Sequence, residues 1–241
     1  GASAQSPTGA FTRTADGKPN LTGIWQAMNT ANWDLQAHEA KMGPVVSLAA
    51  AFAVQPGPGV VEGNEIPYLP EALKKKQENA ADWMARDPEV KCYMPGIPRA
   101  TYQPFPFQIV QSPNTVVFSY EFTSASRIVR METKEKSPAP AWMGWNVGKW
   151  EGDTLVIDVT DQMEETWFDR AGNYHSDALH VVERITPIWL AIGLRTRSST
   201  KPPSKTRRSS AARGRSACPS IGTAKPTRNS WSTSACRSLR S

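Results

Sequence analysis

Residues 144–186, GWNVGKWEGDTLVIDVTDQMEETWFDRAGNYHSDALHVVERIT, decide the fold that we expect for this chain. Within this stretch, residues 153–159 alternate between apolar and polar positions. Leu155, Ile157 and Val159 fall on one face, which is the period-two pattern of a half-buried strand. The short sequence EGD before this strand is typical of a tight turn between two strands. The stretch therefore predicts antiparallel β-structure.

Residues 178–186 form a second alternating strand that contains an unexpected charge. Leu179, Val181 and Ile185 make its apolar row, and Glu183 occupies a position in the same row. A carboxylate that points toward a core must be paired or hydrogen-bonded, or its pKa rises. This position makes Glu183 a candidate functional residue.

The segment between these two strands combines charged and aromatic side chains. Such a mixture indicates the rim of a pocket better than a simple turn. The charged residues are Glu164, Glu165, Asp169, Arg170, His175 and Asp177, and the aromatic residues are Trp167, Phe168 and Tyr174. We therefore expect a site for a small organic molecule around His175 and Glu183.

The preferred hypothesis for this site is a cofactor-independent acid/base enzyme, of the hydrolase, lyase or isomerase type. In it His175 transfers a proton, Glu183 or Asp169 orients the imidazole, and Arg99 or Arg170 stabilises developing negative charge. The alternative is structural: His175 braces a loop and Glu183 pairs with a buried arginine. Arg99 has its own structural alternative, an ion pair with Glu183 or Asp169.

A second class of function is non-catalytic carriage of an apolar or aromatic molecule. A barrel lined by aromatic side chains with a few polar groups suits such a ligand. In either class the residues expected to contact the small molecule are Arg99, Tyr120, Trp145, Trp167, Arg170 and Tyr174. An all-apolar cavity favours carriage, whereas a cavity that both His175 and Glu183 face favours catalysis.

The sequence gives no support to a metal, cofactor or nucleotide site. The three histidines are His38, His175 and His180, and the last two fall on opposite faces of a continuous strand. Glycine-rich nucleotide loops, the H-E-x-x-H pair, C-x-x-C and G-x-S-x-G are all missing from the sequence. The longest apolar run, residues 45–54, is too short to span a bilayer.

The rest of the chain predicts more strands and one main helix. Gly23 and Trp25 begin a first strand, residues 29–40 suggest a short covering helix, and residues 43–64 suggest a mobile flap. Pro70 suits the first turn of a helix at about 70–86. Further strands are expected at 105–111, 115–122 and 126–132. This pattern predicts a mainly β fold, an antiparallel meander closed into a calycin- or lipocalin-like barrel, with one or two covering helices.

The net charge of +6 belongs to the end of the chain. Residues 184–241 hold 13 of the 28 basic residues and none of the 22 acidic ones. We divide the chain into a flexible lead-in (1–20), a β-barrel-like domain (21–194) and a basic low-complexity tail (195–241). The composition of the tail has two interpretations. We favour an out-of-frame translation of a GC-rich gene; the alternative is a basic disordered segment that binds nucleic acid or anionic lipid. We therefore expect no specific nucleic-acid partner, and oligomeric state is left open.

The motifs WEGDTLVIDVT and HSDALHVVERI resemble a group of secreted proteins abundant in soil bacteria. That group carries W-x-G-D-T-L-V-V-x-T and H-S-x-A-L-x-x-x-E-R-x, and the resemblance covers about residues 20–187. The matching residues are Trp150, Gly152, Asp153, His175, Ser176, Glu183 and Arg184. The resemblance implies a secreted, β-rich fold and no particular activity. Together with the small, polar start GASAQSPTGAF, it leads us to expect a periplasmic or secreted protein.

Overall fold

Seven strands pair into one mixed sheet that curls into a half-barrel in the computed structural model, which describes residues 12–43, 47 and 53–187 and the backbone of 188, 191–200 and 236–238. They are β1 (Gly23–Ala27), β2 (Phe107–Gln111), β3 (Thr115–Tyr120), β4 (Ser126–Met131), β5 (Trp145–Glu151), β6 (Thr154–Thr160) and β7 (Leu179–Ile188). Strand β8 (Ala191–Thr200) pairs with β7, and β9 (Cys236–Ser238) pairs with both β8 and β1. The predicted mainly β fold is confirmed.

One strand pair departs from the predicted antiparallel meander. Strands β4 and β5 run parallel, with Val129 opposite Asn146 and Met131 opposite Gly148. The link 132–144 carries the chain back along the sheet before β5 begins, which a tight hairpin turn could not do. Every other pair of strands in the described part of the chain is antiparallel.

The concave face of the sheet holds the main hydrophobic core. Alternate residues of each strand point inward, as the period-two pattern requires. Aromatic rings fill much of this space, with Phe107 5.5 Å from Tyr120 and 6.2 Å from Phe118 between ring centres. Fully buried aliphatic side chains pack beside these rings: Ile109 of β2, Leu155 and Ile157 of β6, and Ile185 of β7.

The predicted helix at 70–86 is two helices. Helix α1 (Pro70–Ala81) begins with proline in its first turn, and α2 (Trp83–Arg86) follows after Asp82, whose φ of −132° breaks the helical backbone. The buried side of α1 is formed by Ala72 and Asn79. Leu73, on the same helix, is 42% exposed.

Residues 29–40 form turns instead of the expected short helix. The side chain of Asn29 accepts a hydrogen bond from the Ala31 N–H, and Asp34 accepts one from the Gln36 N–H. These local bonds compete with helical ones. The Leu35 N–H donates to Asp169 from the distant loop, which fixes the turn.

Parts of three predicted segments lie outside the described residues. They are residues 1–11 of the lead-in, 44–46 and 48–52 of the flap, and 201–235 and 239–241 of the tail. In the remainder of the lead-in, Arg13 binds Asp153 through two N–H···O contacts of 2.9 and 3.1 Å. The out-of-frame origin of the tail stays a prediction. None of the helices in the described ranges is long and apolar enough to cross a membrane.

Candidate functional site

His175 lies in the loop between β6 and β7 and is almost fully buried. Its Nδ1 is 2.9 Å from the Ser176 carbonyl oxygen, so Nδ1 carries the hydrogen and donates it. That leaves Nε2 to accept from the Thr166 hydroxyl at 2.6 Å. Burial lowers the pKa of His175 to about 4, against the raising effect of the bond to Ser176. The imidazole is therefore neutral at neutral pH, and neither Glu183 nor Asp169 hydrogen-bonds to it.

Asp169 organises the loop from within. Its carboxylate accepts hydrogen bonds from the backbone N–H groups of Leu35, Ala171 and Asn173 and from the Asn173 side-chain amide, at 2.7–3.2 Å. Burial, with a smaller contribution from the Asp34 charge, raises the pKa of Asp169 to about 7, and these N–H donors oppose the rise. Both carboxylate oxygens accept hydrogen bonds from the loop or from residue 35, and these contacts hold the loop in its conformation.

Glu183 pairs with a buried arginine, Arg127 of β4, at 2.5 Å. Both side chains are completely buried on the concave face. The Arg127 guanidinium also donates to the Asn146 side-chain oxygen and lies 4.3 Å from the centre of the Phe118 ring. Tyr120 is buried nearby, and desolvation raises its pKa to about 12. The arrangement corresponds to the structural alternative for Glu183.

Arg99 is held by two carboxylates that the sequence analysis did not assign to it. Its guanidinium forms a bidentate ion pair with Asp87, with an N···O distance of 2.7 Å at each nitrogen, and also contacts Glu89. Glu89 in turn binds Arg170 at 2.7 Å. Arg99 is only 1% exposed, and the expected pair with Glu183 or Asp169 is replaced by Asp87 and Glu89.

Trp167 and Tyr174 pack the loop against α1. Their backbones form an isolated antiparallel β-bridge across the loop. Their side chains form a small apolar cluster with Ala72 of the helix. The Tyr174 ring stacks on Tyr68 with centres 5.9 Å apart, and its hydroxyl donates to the Ala72 carbonyl. Both rings are mostly buried, so the packing of the helix accounts for their position.

The nine predicted site residues therefore occupy three places. Tyr120 and Glu183 lie on the concave face of the sheet, and Trp145 lies on its convex face. The rest occupy the loop and the segment beneath it: Arg99, Trp167, Asp169, Arg170, Tyr174 and His175. His175 does not lie within hydrogen-bonding distance of Glu183 or Asp169, so the structure does not show the predicted catalytic arrangement.

A pocket of about 800 Å³ lies on the convex face, between β5, β6 and the link 132–144. We call it the sheet pocket. Its floor consists of neighbouring outward residues of the two strands, chiefly Trp145, Val147 and Val156. Its rim is polar and includes Glu132, Glu135, Lys136, Lys149, Asp158, Thr160 and Asp161. Val156 is only 4% exposed although it points away from the core.

Several groups of the sheet pocket are held by neighbours outside it. Asp158 binds the His180 ring at 2.6 Å, and Lys149 binds Glu151 at 2.8 Å. The Arg130 guanidinium lies 4.0 Å from the centre of the Trp145 ring. These contacts fix the orientation of the floor and of part of the rim before any ligand arrives.

A second pocket, of about 440 Å³, lies between α1 and the turns at 33–43. We call it the loop pocket. Trp33 and Trp83 form its aromatic wall, and Arg170 lies against both rings. Lys41, Lys76 and Asp34 contribute its other charges. Neither pocket is lined by His175 or Glu183.

The partners that determine these roles were not predicted from the sequence. Arg127 could have been found, because it shares its alternating row with Val129 and Met131 and so points inward like Glu183. Asp87 and Glu89 stand on either side of Pro88, shortly before Arg99 in the chain, and only their charge indicated a role. Thr166 and Gln162, whose side chains lie 2.6 and 3.3 Å from the His175 Nε2, carried no comparable signal in the sequence. No group of three or more potential metal ligands occurs within the described ranges.

Comparison with protein-family models, with curated proteins and with solved structures found no match for this chain.

Proposed function

We propose that this protein binds an apolar or aromatic small molecule in the sheet pocket without reacting it. The observation that carries the proposal is the pocket of about 800 Å³ with a floor of Trp145, Val147 and Val156. Small-molecule sites are typically 300–1,000 Å³, with apolar walls and a few polar groups that fix the ligand's orientation. The sheet pocket has this size and this division between floor and rim.

The floor is suited to binding because it is rigid. Trp145, Val147 and Lys149 stand opposite Thr160, Asp158 and Val156 in a continuous antiparallel ladder. Side chains fixed by a ladder lose little conformational entropy when a ligand covers them. The Thr160 hydroxyl donates to the Asp161 carboxylate at 2.6 Å, so its oxygen can accept one hydrogen bond at the edge of the apolar floor.

The proposal extends to the type of barrel and to the compartment. A calycin-like barrel is supported by the pairing of β9 with both β8 and β1. The concave face is filled by core side chains, so the ligand in this proposal binds outside the barrel instead of within it. The periplasmic or secreted location rests on the sequence resemblance.

Paired variants test the site. A panel of neutral aromatic compounds is titrated calorimetrically into wild type, Trp145→Leu, Val147→Ser and Ile128→Ser. Ile128 is the matched control, because it is 48% exposed on the convex face of β4 but lies outside the pocket. We expect the two pocket variants to bind about tenfold more weakly, since each loses apolar contact area. Equal binding by all four proteins contradicts the proposal.

Acid/base catalysis at His175 is the second candidate, and one observation favours it. The neutral imidazole accepts a hydrogen bond from the Thr166 hydroxyl at 2.6 Å, while the Ser176 carbonyl fixes its tautomer. A hydroxyl next to an oriented base is the arrangement of an activated nucleophile. Both groups are buried, so a substrate would reach them only after the loop moved.

Mass spectrometry of ester and lactone mixtures tests this second candidate. Wild type, His175→Ala and Glu183→Gln are each incubated with the mixture, and mass changes are followed. Turnover by wild type that is lost in His175→Ala supports catalysis. Retention of unchanged compounds by all three folded proteins supports binding alone.

A further inference from the structure

We propose that the loop pocket is a second binding site, independent of the sheet pocket, and that it takes a planar aromatic monoanion such as an aromatic carboxylate. The pocket joins an aromatic wall to an excess of positive charge. The aromatic wall selects the planar ring of the ligand, and the positive charge selects its carboxylate.

The aromatic wall is built around Arg170. The guanidinium carbon lies 4.4 Å from the centre of the Trp33 ring and 5.7 Å from that of Trp83. The two indoles are edge to face, with centres 6.2 Å apart. Both are partly buried, and each lines the pocket with part of its surface. A flat apolar ligand gains contact with these surfaces at little cost in side-chain ordering.

Arg170 is fixed by hydrogen bonds that use only some of its N–H donors. Its Nη2 donates to Glu89 at 2.7 Å, and its backbone N–H donates to the Asn32 carbonyl. Among the residues that the structure describes, Glu89 is its one polar side-chain partner. A guanidinium carries five N–H donors, and this side chain remains 23% exposed, so further donors are open to a carboxylate.

The charge balance selects an anion. Lys41, Lys76 and Arg170 supply three positive charges at the pocket. Asp34 in the lining and Glu89 behind Arg170 supply two negative charges, and Glu89 is shared with the buried Arg99. One formal positive charge is left at the aromatic wall. A ligand with a single negative charge neutralises it, whereas a cation would be repelled.

Calorimetric titration with two probes of nearly the same shape tests the inference. They are 2-naphthoate, a planar anion, and 2-naphthamide, its neutral counterpart. We expect wild type to bind the anion at least about tenfold more tightly, and the preference to shrink as salt is added. No binding of naphthoate, or equal binding of the two probes by Trp145→Leu, in which the sheet pocket is impaired, overturns the inference.

Charge-matched variants place the site. In Lys41→Gln/Lys76→Gln the affinity for naphthoate should fall at least about tenfold. The control Lys74→Gln/Lys91→Gln removes the same charge from exposed lysines outside the pocket and should bind as wild type does. Trp145→Leu, in the sheet pocket, should also leave naphthoate binding unchanged. Equal losses in the two double variants, or a loss in Trp145→Leu, overturn the assignment to the loop pocket.

Discussion

Arg127 and Glu183 form an ion pair across the concave face of the sheet. Their strands, β4 and β7, are separated by β5 and β6, so the strands would lie roughly 14 Å apart in a flat sheet. The observed 2.5 Å contact between the side chains therefore depends on the curvature of the sheet. A buried pair of this kind specifies an arrangement more than it adds stability.

Removing one member of this pair should be costly. We expect Glu183→Leu to lower the free energy of unfolding by about 3–5 kcal/mol, because the Arg127 charge stays buried without its partner. The double variant Arg127→Met/Glu183→Leu should recover most of the loss. Urea unfolding measures both. A single-variant cost below about 1 kcal/mol would show that the pair is not buried as described.

His175 should make stability depend on pH. Its folded-state pKa of about 4 lies below the ordinary 6.5, so the unfolded chain binds a proton more readily. Stability from the neutral imidazole is therefore fully present above pH 6.5 and is lost as the pH falls toward 4. The loss amounts to about 3 kcal/mol.

The matched variant His175→Gln isolates this effect. Asp169 has a raised pKa of about 7, so its contribution runs in the opposite direction, and the folded state gains stability as the pH falls from 7 toward 4. The difference in unfolding free energy between wild type and His175→Gln cancels the Asp169 contribution. Parallel stability curves for the two proteins between pH 7 and pH 4 contradict the buried, neutral state of His175.

At the scale of elements, the loop after β6 and helix α1 meet at Gly172. Its φ is +81°, and a Cβ built there would lie 2.6 Å from both the Ala80 nitrogen and the Lys76 carbonyl oxygen. These are backbone atoms of the helix, so they cannot turn aside as a side chain could. Glycine is therefore required by its conformation and by the close approach.

Two alanine substitutions separate the backbone strain of a positive φ from the steric overlap with the helix. Gly63 also has a positive φ, +77°, but nothing lies within 4 Å of its built Cβ. Gly63→Ala should cost only the backbone strain, about 1–2 kcal/mol. Gly172→Ala adds overlap with the helix and should cost roughly 1–3 kcal/mol more. Denaturant unfolding gives both values, and equal costs would contradict the close packing of loop and helix.

The strands were predictable where the pattern is local. The alternation at 115–122 and 153–159 identified β3 and β6, and Pro70 marked the start of α1. The parallel β4–β5 pair was not predictable, because strand direction depends on the path of the link 132–144 and not on either strand's own residues. The turns at 29–40 depend on Asp169, which is distant in sequence, and this explains the wrongly expected helix.

The candidate site was less predictable than the fold. Glu183 was correctly read as inward-facing, and its place in the apolar row followed from the period of two. Its partner lies 56 positions earlier in the chain, so periodicity alone did not identify it. The sheet pocket arises where the link 132–144 crosses the convex face. Alternation indicates which side chains point to that face, but not what covers them.

In the whole molecule, we propose that the ligand binds on the convex face, while the concave face is packed core. Amide chemical shifts recorded during titration with the tightest neutral aromatic compound distinguish the two faces. We expect saturable shifts concentrated at Trp145, Val147, Gly148, Val156 and Thr160. Shifts concentrated instead at Phe118, Tyr120 and Glu183, or no saturable shifts at millimolar ligand, would contradict it.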